Sequence, residues 1–130
     1  MSDFFTLKII TPERLFYEGQ VTMAEFTTEE GNVGVLKGHE AMTYLIAPGV
    51  LRIHEESGIK KAALHVGFAE ILPDEVRILA QIAEWPDEID LNRANEAKIR
   101  AERAIREDGS TLQEELALRR AIARIETLKD

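Results

Sequence analysis

The chain contains no cysteine, which excludes disulfides, thiolate metal sites and a cysteine nucleophile and suits a reducing compartment. Positive charge is scarce as well. The 16 Lys and Arg residues stand against 24 Asp and Glu, a net charge of −8 that argues against a nucleic-acid backbone as the main partner. No long apolar run occurs: the most apolar stretch, residues 41–51, is interrupted by Thr43, Pro48 and Gly49 and falls well short of the ~20 residues a bilayer needs. The start, Met1-Ser2-Asp3-Phe4-Phe5, lacks the basic and apolar regions of a signal peptide. A soluble protein is expected, reaching a membrane only through a partner. Nucleophile elbow, Walker loop and HExxH motif are all missing. His39, His54 and His65 have no paired spacing, so neither a metal site nor a catalytic base is expected.

What is present divides in two. Of 8 glycines, only Gly109 follows Trp85-Pro86, and every aromatic lies at or before Trp85. The remainder is rich in alanine and arginine. Glycine, aromatics and β-branched residues favour strands and turns, whereas alanine, glutamate and arginine favour helix. The expected division is therefore a β-sandwich domain over residues 1–85 and a helical hairpin over residues 86–130.

In the first part, Phe5 to Ile9 alternates with period two and stops at Thr11-Pro12. Gln20 to Thr28 alternates again and ends in the turn Glu29-Glu30-Gly31-Asn32. Gly49 to His54 runs into Glu55-Glu56-Ser57-Gly58, a hairpin signal, and Ile59 to Gly67 returns. Val76 to Ile82 closes the set. Short strands with glycine-bearing turns predict a sandwich or flattened barrel. The stretch Gly31 to His39 lacks the ending of a phosphate loop and reads as turns between strands.

In the second part, Pro86-Asp87-Glu88 reads as the first turn of a helix. Ala94, Ala97, Ala101 and Ala104 recur at intervals of three and four, a narrow seam that lets another helix approach. Glu107-Asp108-Gly109-Ser110 interrupts the pattern. Ser110 and Gln113 have capping-box spacing and predict the start of a second helix. Its apolar stripe is Leu118, Ile122, Ile125 and Leu128, with Leu112 and Leu116 at the beginning. Two short helices with thin apolar faces need a partner surface to be stable.

Charge spacing in this part admits two readings. Arg93 and Arg100, seven apart, share one helix face, and Arg120 and Arg124, at i and i+4, share another, with Arg119 alongside. Folded antiparallel, the helices would bring both pairs around a polyphosphate. Alternatively Asp90 caps a helix, and the arginines are solvated or paired with Glu96, Glu102 and Glu126.

The order of motifs along the whole chain resembles the epsilon subunit of the F-type ATP synthase. The matching residues are Ile10-Thr11-Pro12-Glu13, Phe16-Tyr17-Glu18-Gly19, Glu30 to Leu36 leading to Gly38-His39, Ala47-Pro48-Gly49, Gly67-Phe68-Ala69-Glu70, and Ile89-Asp90 with Arg93-Ala94. Lys37 and Thr27 stand where the family more often has proline. The resemblance implies a β + α fold, a ten-stranded β-sandwich followed by two antiparallel helices. It implies a non-catalytic rotor subunit bound to gamma and the c-subunit ring. That subunit would lie at the cytoplasmic face of the bacterial membrane and reach the alpha/beta catalytic head through its helices. Through the I(L)DxxRA motif it further implies regulatory ATP, with or without magnesium, held by Glu84, Ile89, Asp90, Arg93, Ala94, Arg100, Arg120 and Arg124. Arg119, Arg120 and Arg124 are the implied contacts to the head in an extended, inhibitory state. The competing class is a stand-alone ligand-binding or enzymatic β-sandwich.

Overall fold

The computed structural model describes residues 3–129. Met1 and Ser2 of the amino-terminal reading, and Asp130 of the expected hairpin domain, lie outside the described residues. Ten strands come first: β1 (Phe5–Ile10), β2 (Leu15–Val21), β3 (Met23–Thr28), β4 (Gly31–Leu36), β5 (Met42–Ile46), β6 (Gly49–Glu55), β7 (Gly58–Leu64), β8 (Gly67–Ile71), β9 (Glu75–Ala80) and β10 (Ala83–Glu84). A 3-10 turn at Pro86–Glu88 follows, then helices α1 (Leu91–Asp108) and α2 (Leu112–Thr127). The β + α architecture expected from the sequence is the one observed.

The strands form one hydrogen-bonded sheet in the order β10-β7-β6-β3-β5-β8-β9-β1-β2, with β4 added to β3. The β1–β9 pair is parallel and the others are antiparallel. Wrapped over itself, the sheet sends alternate side chains inward, as the buried–half-buried alternation of β1 shows. Phe26, Leu7, Ile9, Leu51, Ile53 and Ile78 fill the interior. Gly67 is required for close approach, because a Cβ there would collide with the backbone carbonyl of Leu79.

Three local expectations in the sandwich need correction. The alternating stretch 20–28 is two strands, not one. At Thr22 the chain leaves its β1 pairing; the Thr22 N–H donates to His54 O at 2.8 Å, and β3 then pairs with β4 and β6. The expected strand 76–82 ends at Ala80, and Ile82 is exposed. The stretch 31–39 is not all turn. Gly31 and Gly38 have positive φ, but residues 31–36 form β4 and pair along all of β3.

The helix starts also move. Pro86-Asp87-Glu88 is a separate 3-10 turn, closed by Glu88 N–H donating to Trp85 O at 2.9 Å. α1 begins after Asp90, whose Oδ1 accepts from Arg93 N–H at 3.1 Å. Likewise Thr111, not Ser110, caps α2, accepting from Glu114 N–H at 3.2 Å. That start puts Glu114 and Glu115 in the first turn, where the helix dipole favours negative charge. Gly109, at φ 87°, ends α1 in a conformation other residues avoid, so the connection is short and the helices return antiparallel.

The hairpin lies on the sandwich through α2, which packs on β6 and β7, while α1 packs chiefly on α2. The expected alanine seam of α1 is present: Ala94 and Ala101 are buried, Ala97 and Ala104 half-buried. The expected leucine–isoleucine stripe of α2 is only half-buried, at Leu116, Leu118, Ile125 and Leu128. Ala121, Ala123 and Thr127 are buried instead, Ile122 is 39% exposed and Leu112 73%. Small side chains win because they let the helix axis approach the sheet closely.

Candidate functional site

Around Trp85 the two parts of the chain are clasped together. The Trp85 ring stacks on Phe16 at 4.2 Å between centroids and meets Tyr17 edge-on. Arg14 lies over Phe16 and donates to Glu88 at 2.7 Å and to Ala83 O at 3.3 Å. That hydrogen bond, joined by one from the Trp85 N–H, holds the Glu88 carboxyl below its ordinary value. The start of the helical part is thereby fixed in position.

Immediately beyond the clasp lies a cleft of about 280 Å³, lined by Glu84, Glu88, Ile89, Asp90, Arg93, Ala94, Glu96, Ala97, Arg100 and Arg124. The antiparallel return places Arg124, near the end of α2, beside the first two turns of α1. Seven of the eight candidate nucleotide residues are therefore together. Arg120 is the exception: it is one helical turn, about 5.4 Å, farther along α2 and does not line the cleft. Arg119 points to the sandwich and pairs with Glu29 at 3.3 Å.

Most carboxylates in the cleft are already engaged. Asp90 caps α1, and Glu88 is held by Arg14. Glu84 Oε1 accepts from Arg124 Nε at 2.7 Å and lies 3.0 Å from His65 Nε2. Burial of Glu84 opposes its ionisation, but the hydrogen bonds from His65 and Arg124, with the charge of Arg124, outweigh burial and hold its carboxyl below the ordinary value. Arg93 and Arg100, by contrast, form no ion pair among the described residues. Two uncommitted guanidinium groups beside fixed hydrogen-bond acceptors form a mixed donor–acceptor lining. That combination matches phosphate at one end of a ligand and amine or hydroxyl at the other. The volume is at the small end for ligand pockets, which begin at roughly 300 Å³, so part of a nucleotide would remain in solvent.

A second surface is apolar. Leu45 pairs with Phe68, Phe68 with Leu79, Leu79 with Ile10 and Ile10 with Leu15, one continuous row across five strands. It faces outward: Leu45 is 71% and Phe68 41% exposed. Period-two alternation indicates which residues share a face, but this row became visible only once the strand order was known. The sandwich interior, in contrast, is filled by core side chains, which disfavours an interior ligand pocket. Among the described residues no helix is long and apolar enough to cross a membrane, and no group of three or more His, Asp or Glu is placed to hold a metal ion.

A tightly wrapped ten-stranded sandwich followed by a hairpin of two helices defines the class of this protein. Residues 4–86 match the family described as ATP synthase, Delta/Epsilon chain, beta-sandwich domain, and residues 87–129 match its long alpha-helix domain. The chain belongs to the ATP synthase delta/epsilon chain family. It is 43% identical over 129 residues to the ATP synthase epsilon chain of Caldanaerobacter subterraneus subsp. tengcongensis, covering 96% of this chain and 94% of that one. With the ATP synthase epsilon chain of Clostridium kluyveri it shares 42% identity over 132 residues, covering 99% and 100%. Among solved structures it is similar to a chain in the Euglena gracilis mitochondrial ATP synthase, OSCP/F1/c-ring (TM-score 0.83, 26% identity, 97% of this chain and 81% of that one).

Proposed function

We propose that the chain is a non-catalytic central-stalk subunit of an F-type ATP synthase, turning with gamma and seated on the c-subunit ring. It would sit peripherally at the cytoplasmic face of a bacterial membrane. The observation that carries this reading is the exposed apolar row on a rigid, filled sandwich. Such a face, left in water, is a docking surface, and a stiff body behind it can transmit torque. Co-purification with gamma tests it. The intact chain is expected to form a stoichiometric complex, and Phe68→Glu to reduce binding at least tenfold. A chain that ignores gamma overturns the reading.

The hairpin is the regulatory part. Folded on the sandwich it leaves the catalytic head free; extended along gamma it presents Arg119, Arg120 and Arg124 to acidic residues of the head and inhibits ATP hydrolysis. The cleft at Glu84, Asp90, Arg93, Arg100 and Arg124 takes ATP, which stabilises the folded-down state by mass action. Arg93 and Arg100 meet the phosphates, and Glu84 or Asp90 accepts from the base or ribose. Calorimetric titration of the intact chain with ATP should show saturable binding that Arg93→Ala weakens. Absence of heat up to millimolar ATP removes the nucleotide arm while leaving the stalk reading intact.

A further inference from the structure

His65 is a buried polar side chain. It lies between β7 and β8, is 1% exposed, and its Nδ1 has no hydrogen-bond partner among the described residues. Its Nε2 is 3.0 Å from Glu84 Oε1. Because an ionised carboxylate only accepts, Nε2 carries the hydrogen of this bond. Leaving Nδ1 bare then avoids burying a second, unpartnered N–H. The same Oε1 also takes the Arg124 Nε hydrogen at 2.7 Å, so both donors fall on one oxygen. Oε2 has no protein partner among the described residues, and Glu84 lines the cleft.

We propose that His65 is a positioning residue that sets the base preference of the cleft. By pinning Oε1 it leaves Oε2 as a single acceptor facing the ligand. One acceptor matches the lone exocyclic amine of adenine. Guanine presents two adjacent donors, N1–H and the 2-amino group, and needs both oxygens of a carboxylate to satisfy them. A Glu84 held at only one point would be freer to turn and would discriminate less between the two bases. The inference rests on the nucleotide reading of the cleft.

The test is calorimetric titration of the full chain with ATP and with GTP. The wild type is expected to prefer ATP. His65→Gln, which keeps an N–H donor at similar reach, should retain that preference. His65→Leu should lose about tenfold in ATP affinity, the effect of one hydrogen bond to a charged group, with the ATP-to-GTP ratio falling toward one. A His65 that merely fills space would lower the melting temperature of both variants without moving the ratio, and that result overturns the proposal. Should His65→Leu fail to fold, nitrogen-15 ring shifts of wild-type His65 decide: hydrogen on Nε2 and none on Nδ1 supports it, the reverse overturns it. Wild-type protein binding neither nucleotide takes down the site reading and this inference together. ATP binding with an unchanged ratio in His65→Leu takes down this inference alone.

Discussion

The sandwich and the hairpin bury very different side chains. Inside the sandwich lie phenylalanine, leucine, isoleucine and valine; in the hairpin the buried residues are Ala94, Ala101, Ala121, Ala123 and Thr127. At roughly 25 cal/mol per Å² of apolar surface, an alanine contributes far less than a leucine. The helices are therefore held by close fit and a few polar contacts: Arg124 to Glu84, Arg119 to Glu29, and Lys61 to the carbonyl of Lys129. A body with a deep core resists deformation, while a thinly held appendage can leave and return. Under the proposed function, the sandwich would be the rigid transmitter and the hairpin the movable regulator.

The largest effect is expected in the sandwich. Phe26→Ala should destabilise the whole domain by about 3–5 kcal/mol in urea unfolding, because the ring is buried and the cavity cannot close. Truncation after residue 88 should, in contrast, leave cooperative sandwich unfolding intact, since the Trp85 clasp is retained. Loss of cooperative folding on truncation would mean that the helices are a permanent part of the core. Next in size, Ala121→Leu should overpack the buried face of α2 by about 1–3 kcal/mol. Hydrogen exchange should then rise in α1 and α2 while the β1 and β9 amides stay protected.

pH separates the two regions in opposite directions. Glu84 has its folded pKa held below the ordinary 4.5, so its contribution is complete above that value and is lost as pH falls below it toward the folded pKa. Acid is thus expected to loosen α2 before the sandwich melts, read by Trp85 emission, and Glu84→Gln should flatten that transition. Tyr17 behaves inversely. Burial, with the hydrogen bond it donates to Glu55, raises its pKa above the ordinary 10.0. Its contribution is present below 10.0 and lost as alkali ionises it, measurable as delayed tyrosinate absorbance. The smallest effect is expected for Arg119→Ala, an exposed pair with Glu29 whose loss should change stability by about 0.5 kcal/mol or less.

Much of this was legible beforehand. The boundary at Trp85-Pro86 was evident in glycine and alanine usage, and the seam Ala94, Ala97, Ala101, Ala104 in spacing alone. The break at Thr22 was not legible, because the residues on both sides continue one alternation and only their pairing partners change. β4 was hidden because Gly31, Asn32 and Gly34 read as turn residues, yet pairing with β3 satisfies their backbone groups. The α2 stripe was legible in part: Leu118, Ile125 and Leu128 are half-buried, but the best-covered positions are Ala121 and Ala123, because close approach favours small side chains over the large ones that hydrophobicity ranks first. In the cleft, spacing identified Arg93 and Arg100 together. It could not separate Arg124 from Arg120, since both lie on one helix face and only the depth of the antiparallel return distinguishes them. His65 gave no signal at all; a lone histidine has no period.

The sequence by itself determined the two-part division, most strand and helix tendencies, and the acidic, cysteine-free character, because composition and periodicity act locally along the chain. Tertiary structure alone decided which outward residues join into the apolar row, which arginines share the cleft with Glu84, and that His65 stands behind that carboxylate. Those relations join residues as far apart as Leu15 and Phe68, or Glu84 and Arg124, and exist only after chain folding brings their surfaces into contact.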